Sequence, residues 1–393
     1  MRLAAFAALT LVAAAASIVW TRSGDAQGVG QTPATPPIYD IPAHIGQDIA
    51  PIPRRSGRGT LILEGGGYGV DAVTEQVVAY SGPDPVLCLI DTASGGSTAP
   101  EARFDAIGGL RMLVLDITAD NAGDRSVLDA LRGCTGFYFD GGDPGELSRG
   151  LLNGANDSPA LAVIREKFEH EGAVVAGTIA GAMIAGPLTL CECGSHSSVL
   201  ALGSGKLFQA PGFHFVDGLL IDAHFFARGL IGRHLYALAA TGESVGVGID
   251  EATAVIVPGD GGLWSVEGSS AVAFLFHNEV VSGGRLEGFS FNLLAGGDRF
   301  DPVSHRIVVD SAQQPERVAR GADANPLRVD DIFDPGRVKA LVESFVGAPT
   351  DRAEGISNET GLAIDFAKRS DTTAYADGGK VSFLGLDLGV SSF

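Results

Sequence analysis

A five-residue turn, Gly177-Thr178-Ile179-Ala180-Gly181, constrains this chain more than any other feature. Residues 172–176, which are small or β-branched, precede the turn and predict a buried parallel strand. Small residues from Ala180 onward predict a helix. A strand that enters a helix through G-x-x-x-G has the spacing of the nucleophile elbow, whose central side chain carries the attacking atom. Here the central residue is Ile179, which has no lone pair, so the sequence predicts an elbow without its nucleophile.

Length and composition set the class of protein. The chain has 393 residues, of which 45% are hydrophobic and 19% charged, and it contains 55 glycines. This is enough for one large α/β domain with an appended segment, since domains usually have about 100–200 residues. The 27 basic and 47 acidic residues give a net charge of −20. This excess of negative charge argues against nucleic acid or an anionic membrane as a partner.

The N-terminal residues have the pattern of an export signal. Met1-Arg2 is followed by an apolar run from Leu3 to Trp20, and small residues near Ala26 stand at the usual cleavage spacing. We therefore predict a cleaved signal peptide over residues 1–26 and a periplasmic or extracellular protein without membrane contact after cleavage. The alternative is an uncleaved anchor, because the run is about long enough to span a bilayer. Residues 27–57 are rich in proline and predict a flexible lead-in.

Four cysteines are too few for a fold built on disulfides. Cys88 lies in an apolar run and is interpreted as a small core residue, and Cys134 comes just before a predicted strand. Cys191 and Cys193 form a C-x-C pair in a polar loop, from which one long-range bridge is allowed in an oxidising compartment. No second pair of cysteines or histidines stands at ligand spacing, so we predict no metal site. The glycines at 65–67, after the first predicted strand, lack the spacing of a dinucleotide-binding turn, so we predict no cofactor.

From about residue 58, strand-like and helix-like segments alternate. Apolar runs at 59–64, 86–90, 112–115 and 137–139 predict strands, and helical patterns lie near 70–80, 124–132 and 158–170. This alternation predicts an α/β fold with a mostly parallel, doubly wound sheet. Each strand ends in a Gly-rich or polar turn, and the carboxyl ends of such strands are where ligands bind.

The second half of the chain departs from this alternation. Residues 219–226 predict a strand, followed by a helix that bears Arg228 and Arg233, and residues 245–257 predict a strand interrupted by Asp250 and Glu251. Residues 264–276 and 303–309 predict antiparallel strands at the edge of the same sheet. A C-terminal extension, residues 313–393, is predicted to pack on or beside the core, with one helix near 335–346 and a hairpin over 361–388.

Five short motifs, in this order, resemble the S51 peptidase family and, within it, the cyanophycinases. The resemblance covers about residues 58–312, which we take as the α/β domain. The motifs are Asp91-Thr92-Ala93-Ser94, Gly141-Gly142-Asp143, Gly177-Thr178-Ile179-Ala180-Gly181-Ala182, Asp222-Ala223-His224-Phe225 and Gly248-Ile249-Asp250-Glu251-Ala252-Thr253-Ala254.

The resemblance implies a serine hydrolase in which an elbow serine attacks, a histidine is its base and a glutamate orients the histidine. Carried onto this chain, the base is His224 and the orienting acid is Glu251, while the nucleophile position is Ile179. We expect Ile179 to lie near His224 and to adopt the strained backbone of an elbow apex, unless the turn has relaxed. The resemblance also implies a homodimer.

Further site residues follow from the same motifs. The oxyanion and pocket positions are Gly142, Asp143, Ile179 and Ala180. The substrate-binding positions are Asp222, Arg228, Arg233 and Thr253. Three residues depart from the polar side chains that cyanophycinases carry at those positions: Pro144, Ala223 and Leu230. These apolar replacements, together with Ile179, argue against cyanophycin as the substrate.

Three functions remain open at this point. The first is an exported pseudo-hydrolase that binds a peptide-like or carboxylate ligand, and the second is an active hydrolase in which His224 and Glu251 activate water or another hydroxyl. The other hydroxyls are those of Thr178 and of the serines at 195, 197 and 198. The third is a structural or assembly protein in which residues 313–393 provide an interface, with no small-molecule partner.

Overall fold

The computed structural model describes residues 38–39, 59–67, 70–96, 99–190, 194, 207–277, 286–321 and 325–392. Residues 36–393 form one compact unit. The predicted signal peptide, most of the lead-in, the C-x-C pair and the serines at 195, 197 and 198 lie outside the described residues. Within the ranges just given, no helix has both the length and the apolar character that a membrane span requires.

The strands, in chain order, are Ile38–Tyr39 (β1), Leu61–Glu64 (β2), Val86–Ile90 (β3), Arg111–Leu115 (β4), Gly136–Phe139 (β5), Leu152–Asn153 (β6), Asn156–Asp157 (β7), Val174–Thr178 (β8), Leu188–Leu190 (β9), Phe208–Pro211 (β10), Leu220–Ala223 (β11), Val245–Ile249 (β12), Thr253–Val257 (β13), Trp264–Gly268 (β14), Ala271–His277 (β15), Leu286–Ala295 (β16), Arg299–Phe300 (β17), Ile307–Val308 (β18), Gln314–Glu316 (β19), Leu327–Asp330 (β20), Arg352–Ser357 (β21), Leu362–Asp377 (β22) and Lys380–Ser392 (β23). The α-helices are Asp71–Tyr80 (α1), Ala99–Ile107 (α2), Arg125–Gly133 (α3), Pro144–Leu151 (α4), Pro159–Glu166 (α5), Ala180–Met183 (α6), Ile231–Thr241 (α7) and Arg337–Gly347 (α8). A π-helical turn, Lys167–Glu171, continues α5.

The first sheet contains the predicted α/β core. Its ten strands lie in the order β1-β18-β17-β14-β13-β2-β8-β5-β3-β4, and the five from β2 to β4 are parallel. Helices α1 and α2 pack on one face, while α3, α4 and α5 pack on the other. The predicted α/β fold with a mostly parallel, doubly wound sheet and added antiparallel strands is therefore confirmed. Strand β1 lies in the predicted lead-in and pairs with β18.

A second sheet was not predicted. It has nine strands, in the order β11-β12-β15-β16-β23-β22-β21-β20, with β19 paired to β22. The prediction that residues 264–276 add edge strands to a single sheet is therefore wrong for β15. The C-terminal helix and hairpin are confirmed as α8 and as β22–β23 with Gly378-Gly379 at the turn. The hairpin pairs with β16, so the C-terminal residues complete this sheet.

The interrupted strand over 245–257 is in fact two strands in two sheets. Strand β12 lies in the nine-stranded sheet and β13 in the ten-stranded one, and the chain crosses between them at Asp250, Glu251 and Ala252. Ala252 has a φ of 53°, which turns the backbone sharply at this point. Between β14, in the ten-stranded sheet, and β15, in the nine-stranded sheet, the chain crosses back. The acidic pair thus marks a corner between sheets.

Cys88 and Cys134 form a disulfide bond, which corrects the interpretation of Cys88 as a simple core residue. Both are buried. Cys88 lies on β3 and Cys134 comes just before β5, and these two strands are neighbours in the sheet. Which strands become neighbours depends on contacts between distant segments, so the spacing of the cysteines along the chain does not predict this disulfide.

Two helices and one boundary were also missed. Helix α2 has a weak apolar pattern, and α4 begins at Pro144, where proline is favourable because its missing N–H is not needed in the first turn. The helix after His224 begins at Ile231, so it carries Arg233 but not Arg228.

Candidate active site

The elbow has the backbone of a strained apex. Strand β8 ends at Thr178, α6 begins at Ala180, and Ile179 between them has φ 54° and ψ −112°. For a β-branched residue this conformation costs on the order of 1–3 kcal/mol. The Ile179 N–H donates to the Glu64 carbonyl at 3.1 Å, and the Ile179 carbonyl accepts from Met183 at 3.0 Å. The predicted strain is therefore present and is held by hydrogen bonds on both sides.

The two glycines of the motif are required by close packing. A methyl group added at Gly177 would lie 2.3 Å from the Gly181 carbonyl oxygen, and one added at Gly181 would lie 2.1 Å from that of Phe139. Both distances are far below van der Waals contact, so a larger residue at Gly177 would clash with α6 and a larger residue at Gly181 would clash with β5.

His224 and Glu251 form a hydrogen-bonded pair, with 2.7 Å between His224 Nδ1 and Glu251 Oε1. His224 follows β11 and Glu251 follows β12, and these strands run parallel with Ala223 opposite Ile249. Their carboxyl ends therefore bring the two side chains together. The imidazole is buried, whereas the Glu251 side chain is 39% exposed.

Ile179 and His224 are immediate neighbours. A methyl group added at Gly66 would lie 2.8 Å from Ile179 Cγ1 and 2.9 Å from His224 Nε2, so both side chains flank the same point. His224 Nε2 is buried and has no hydrogen-bond partner in the described part of the chain. This is the nitrogen that would face a nucleophile at the apex.

The Gly-rich turn after β2 ties the three parts of the site together. The carbonyl of Gly65 accepts from the His224 N–H at 2.8 Å, and that of Gly66 accepts from the Ala252 N–H at 3.0 Å. Because the Glu64 carbonyl accepts from the Ile179 N–H, the segment 64–66 contacts the elbow, the histidine and the turn that carries Glu251. The glycines of this turn thus let the backbone approach the site closely.

Comparisons with known proteins find cyanophycinases among the proteins that are similar to this chain. The chain is 28% identical over 228 residues to a cyanophycinase from a Nostoc species, which covers 52% of this chain and 72% of that protein. It is 27% identical over 246 residues to the cyanophycinase of Geminocystis herdmanii, which covers 57% and 85%. These similarities support a relationship to the cyanophycinases, in agreement with the resemblance of the sequence motifs.

The remaining comparisons add little. No protein-family model matches the chain. A solved peptidase from an acI-B1 Actinobacterium is 22% identical and covers 55% of this chain and 89% of its own, with a TM-score of 0.45, which is a weak likeness.

The electrostatic surroundings of His224 favour a neutral imidazole. Burial lowers the pKa of His224, and the positive charge of Arg228 lowers it further, while Glu251 acts in the opposite direction. Arg228 is exposed and lies in the turn before α7. A neutral imidazole can accept a proton at neutral pH, which is the property a general base needs.

The predicted oxyanion positions lie around the apex. Ala180 is in the first turn of α6, where a backbone N–H has no intrahelical acceptor. Gly142 has φ 140° and packs against the Ala93 carbonyl. Asp143 is the N-cap of α4, where its Oδ1 accepts from the Gly145 N–H at 2.7 Å. Asp143 is thus engaged in starting a helix.

The predicted substrate-binding residues differ in their exposure to solvent. Asp222 and Arg233 form a buried, bidentate ion pair, in which Arg233 Nε lies 3.0 Å from Asp222 Oδ2. Burial alone would raise the pKa of Asp222, but Arg233 and His234 bring it below its usual value. Thr253 is also buried and accepts from the Ser270 N–H at 3.1 Å. Arg228 is the exposed member of the predicted set.

Asp250 supports the site, a role that was not predicted from the sequence. Its Oδ1 accepts from the backbone N–H groups of Phe226 and Ala227 at 3.0 and 2.7 Å, and its Oδ2 accepts from the Ser270 hydroxyl at 2.6 Å. These bonds hold the turn that follows His224, itself at φ 53°. A carboxylate inside an apolar strand pattern was the available signal, because such a group needs partners.

A cavity of about 540 Å³ opens beside Ile179. Its walls include Arg103, Tyr138 and Asp140. These residues were not predicted from the sequence because no family motif includes them. The available signal was the alternation of side chains at the ends of the parallel strands.

Proposed function

We propose that this protein is an exported cyanophycinase-like pseudo-hydrolase that binds a peptide-like or carboxylate ligand without forming an acyl-enzyme. The observation that supports this proposal is Ile179 at the strained apex, beside His224 Nε2. Covalent catalysis on this scaffold needs a nucleophile at the apex, and an isoleucine cannot supply one.

The apex side chain also fills space. A methyl group added at Gly141 would lie 2.7 Å from Ile179 Cδ1, and one added at Gly66 would lie 2.8 Å from its Cγ1. The isoleucine therefore packs against two glycines on either side of the apex. The site thus retains the base and its orienting acid while the position of attack is occupied by a hydrocarbon.

The features that support a ligand with a carbonyl or carboxylate are the backbone donors near Ala180 and Gly142 and the exposed cation Arg228. N–H groups that point at one place stabilise negative charge on a ligand oxygen. Arg228 adds a positive charge close enough to His224 to lower the pKa of the imidazole.

Export is part of the proposal and rests on the N-terminal pattern together with the Cys88–Cys134 disulfide. Disulfides persist in oxidising compartments and are rare where thiols are kept reduced. Mass spectrometry of the protein secreted by a host with an intact export pathway should find a new N-terminus near residue 27. An intact Met1 in the fractionated cell would contradict cleavage.

A fluorophosphonate probe tests the loss of covalent catalysis. We expect no labelling of wild type, labelling of Ile179→Ser, and no labelling of Ile179→Ser combined with His224→Ala. Ile179→Ala is the matched control, because it removes the same bulk without adding a hydroxyl. Stoichiometric labelling of wild type at any serine would overturn the proposal, and an inert but folded Ile179→Ser would overturn the assignment of His224 and Glu251.

A second candidate function is hydrolysis in which His224 activates water directly. The unpartnered, buried Nε2 and the lowered pKa of His224 favour it. In that case wild type hydrolyses a small activated ester without being labelled, and His224→Gln loses this activity. Equal rates for wild type and His224→Gln would exclude it.

A further inference from the structure

Ile179 lies between the imidazole of His224 and the cavity beside the apex. Its Cγ1 is on the histidine side, because a methyl group added at Gly66 would lie 2.8 Å from Ile179 Cγ1 and 2.9 Å from His224 Nε2. Its Cδ1 would lie 2.7 Å from a methyl group added at Gly141, which lines the cavity of about 540 Å³. The isoleucine therefore separates the imidazole from the space that a ligand can enter.

The nitrogen that would act as a base is closed to water. His224 Nε2 has less than 1 Å² of accessible surface, and it has no hydrogen-bond partner in the described part of the chain. Burial is also the main cause of the lowered pKa of His224. A buried nitrogen without a partner has lost the hydrogen bond that water would make to it. Ile179 presents only carbon atoms, so it excludes water without replacing that bond.

The other parts of a general-base site are in place. Glu251 Oε1 lies 2.7 Å from His224 Nδ1, and a proton on Nδ1 leaves Nε2 with a free lone pair. Asp250 holds the turn after His224 by accepting from two backbone N–H groups. The N–H of Ala180, in the first turn of α6, has no intrahelical acceptor and can stabilise an oxyanion. The site thus lacks only a water molecule at Nε2.

We propose that Ile179 is a hydrophobic plug that keeps water from a complete general base, and that the site hydrolyses small carboxylic esters once this side chain is shortened. This inference rests on the proposed function, since it concerns what closes the same site. It goes further, because it assigns the inactivity to blocked access of water as well as to the missing nucleophile.

The reaction of the opened site needs no covalent bond to the protein. His224 Nε2 takes a proton from water while the water oxygen bonds to the ester carbonyl carbon. The bond from that carbon to the alcohol oxygen then breaks, and the alcohol oxygen receives the proton from the imidazole. The products are a carboxylic acid and an alcohol, so the histidine is regenerated and no co-reactant besides water is consumed.

The size of the substitution decides whether water can enter. Ile179→Ala removes Cγ1, Cγ2 and Cδ1, whereas Ile179→Val removes only Cδ1 and keeps a carbon on the side of His224. One water takes up about 30 Å³ in the liquid and needs polar partners, of which His224 Nε2 is one. Shortening to alanine therefore joins the cavity to the imidazole, and shortening to valine leaves most of the barrier.

Hydrolysis of p-nitrophenyl acetate at pH 7 tests the proposal. We expect Ile179→Ala to be at least about tenfold faster than wild type, since general-base catalysis typically contributes more than this. Ile179→Val should gain less, and Ile179→Ala combined with His224→Gln should lose the gain. A folded Ile179→Ala that is no faster than wild type, or a gain that survives His224→Gln, would overturn the proposal.

Ile364→Ala is the matched control for loosened packing. Ile364 is fully buried on β22 and does not line the cavity, so this variant removes the same atoms elsewhere and should not gain activity. An equal gain in Ile364→Ala would overturn the assignment to Ile179.

Chemical modification tests the access to His224 without relying on activity. Diethyl pyrocarbonate acylates neutral, accessible imidazoles, and mass spectrometry of peptides locates the product. In folded wild type we expect modification of His170 and His214, whose side chains are 64% and 58% exposed, and none of His224. Ile179→Ala should add His224 to the modified residues. Modification of His224 in wild type at the rate of His214, or none in folded Ile179→Ala, would overturn the plug.

The proposed function and this inference fail on different results. Fluorophosphonate labelling of wild type overturns the pseudo-hydrolase, because labelling requires a nucleophile. An unlabelled wild type together with a folded but inactive and unmodified Ile179→Ala overturns the plug alone.

Discussion

At the scale of single residues, the packing of the site leaves no space for a side chain at Gly66. Gly66 has φ 96° and lies between Ile179 and His224. Its carbonyl also binds the turn that carries Glu251. Position 66 requires glycine for two reasons: the backbone has a positive φ, and a side chain would clash with its neighbours. Comparison with a second glycine of similar φ but open surroundings separates these two requirements.

We predict that Gly66→Ala lowers the free energy of unfolding by about 1–3 kcal/mol more than Gly82→Ala does. A methyl group at Gly66 would lie 2.5 Å from His224 Cε1, whereas nothing lies within 4 Å of one at Gly82. Gly82 has φ 90°, so both variants carry a similar backbone penalty. Urea denaturation measures the difference, and equal effects would mean that the contact with His224 does not constrain the site.

At the scale of elements, buried polar side chains anchor the C-terminal hairpin. Asp298, between β16 and β17, accepts from the Ala295 and Asp310 N–H groups at 3.0 and 2.9 Å and also from Ser382 on β23. Lys368 on β22 donates to three backbone carbonyls. These groups link the C-terminal hairpin to the rest of the chain, so their protonation affects stability.

We predict a pH-dependent cost at Asp298. Burial raises the pKa of Asp298 from 3.8 to about 6. The folded state therefore holds this proton more tightly than the unfolded chain, and stability falls as pH rises from about 4 to about 6. Relative to Asp298→Asn, which does not titrate there, wild type should lose on the order of 2 kcal/mol over this window. Denaturation at several pH values measures this difference, and parallel profiles for the two proteins would contradict the prediction.

The disulfide between β3 and the start of β5 gives a second prediction at this scale. It joins cysteines 46 residues apart, and cross-linking a loop of this length stabilises a protein by about 2–5 kcal/mol. Cys88→Ala combined with Cys134→Ala should lower the free energy of unfolding by this amount. Wild type in reducing buffer is the comparison, and it should approach the double variant. Unchanged stability of the double variant would show that the bridge does not form.

At the scale of the whole molecule, the C-terminal residues are part of the second sheet. Strand β16 pairs with β15 on one side and with β23 on the other, with Phe291 opposite Leu386. Both of these side chains are fully buried. The α/β domain predicted from the sequence ends near residue 312, but the buried face of the nine-stranded sheet continues beyond that residue.

We predict that a chain ending at residue 312 does not fold cooperatively. It would leave β16 as an apolar edge strand, which promotes aggregation. The protein spanning residues 58–393 is the control and should show one sharp thermal transition. A soluble 58–312 fragment with a transition of similar sharpness would show that the extension is dispensable for the fold.

The candidate site could be predicted in part because some of its requirements are local. The elbow at Ile179 was visible since a strand, a tight turn and a helix follow one another within a few residues. The pair of His224 and Glu251 was named only through the resemblance, and the structure places its members in contact. Asp140 and Tyr138 carried no motif, so their convergence on a cavity was not foreseen.

By itself, the sequence determined the parallel α/β core, the elbow and the absence of an apical nucleophile, because periodicity, glycine spacing and residue chemistry act over short stretches of chain. Only the tertiary structure decided which strands became neighbours. That choice produced the Cys88–Cys134 bond, the separate nine-stranded sheet and the buried pairing of Asp222 with Arg233. The physical reason is that sheet order and sheet crossing depend on packing between distant segments, which no local pattern encodes.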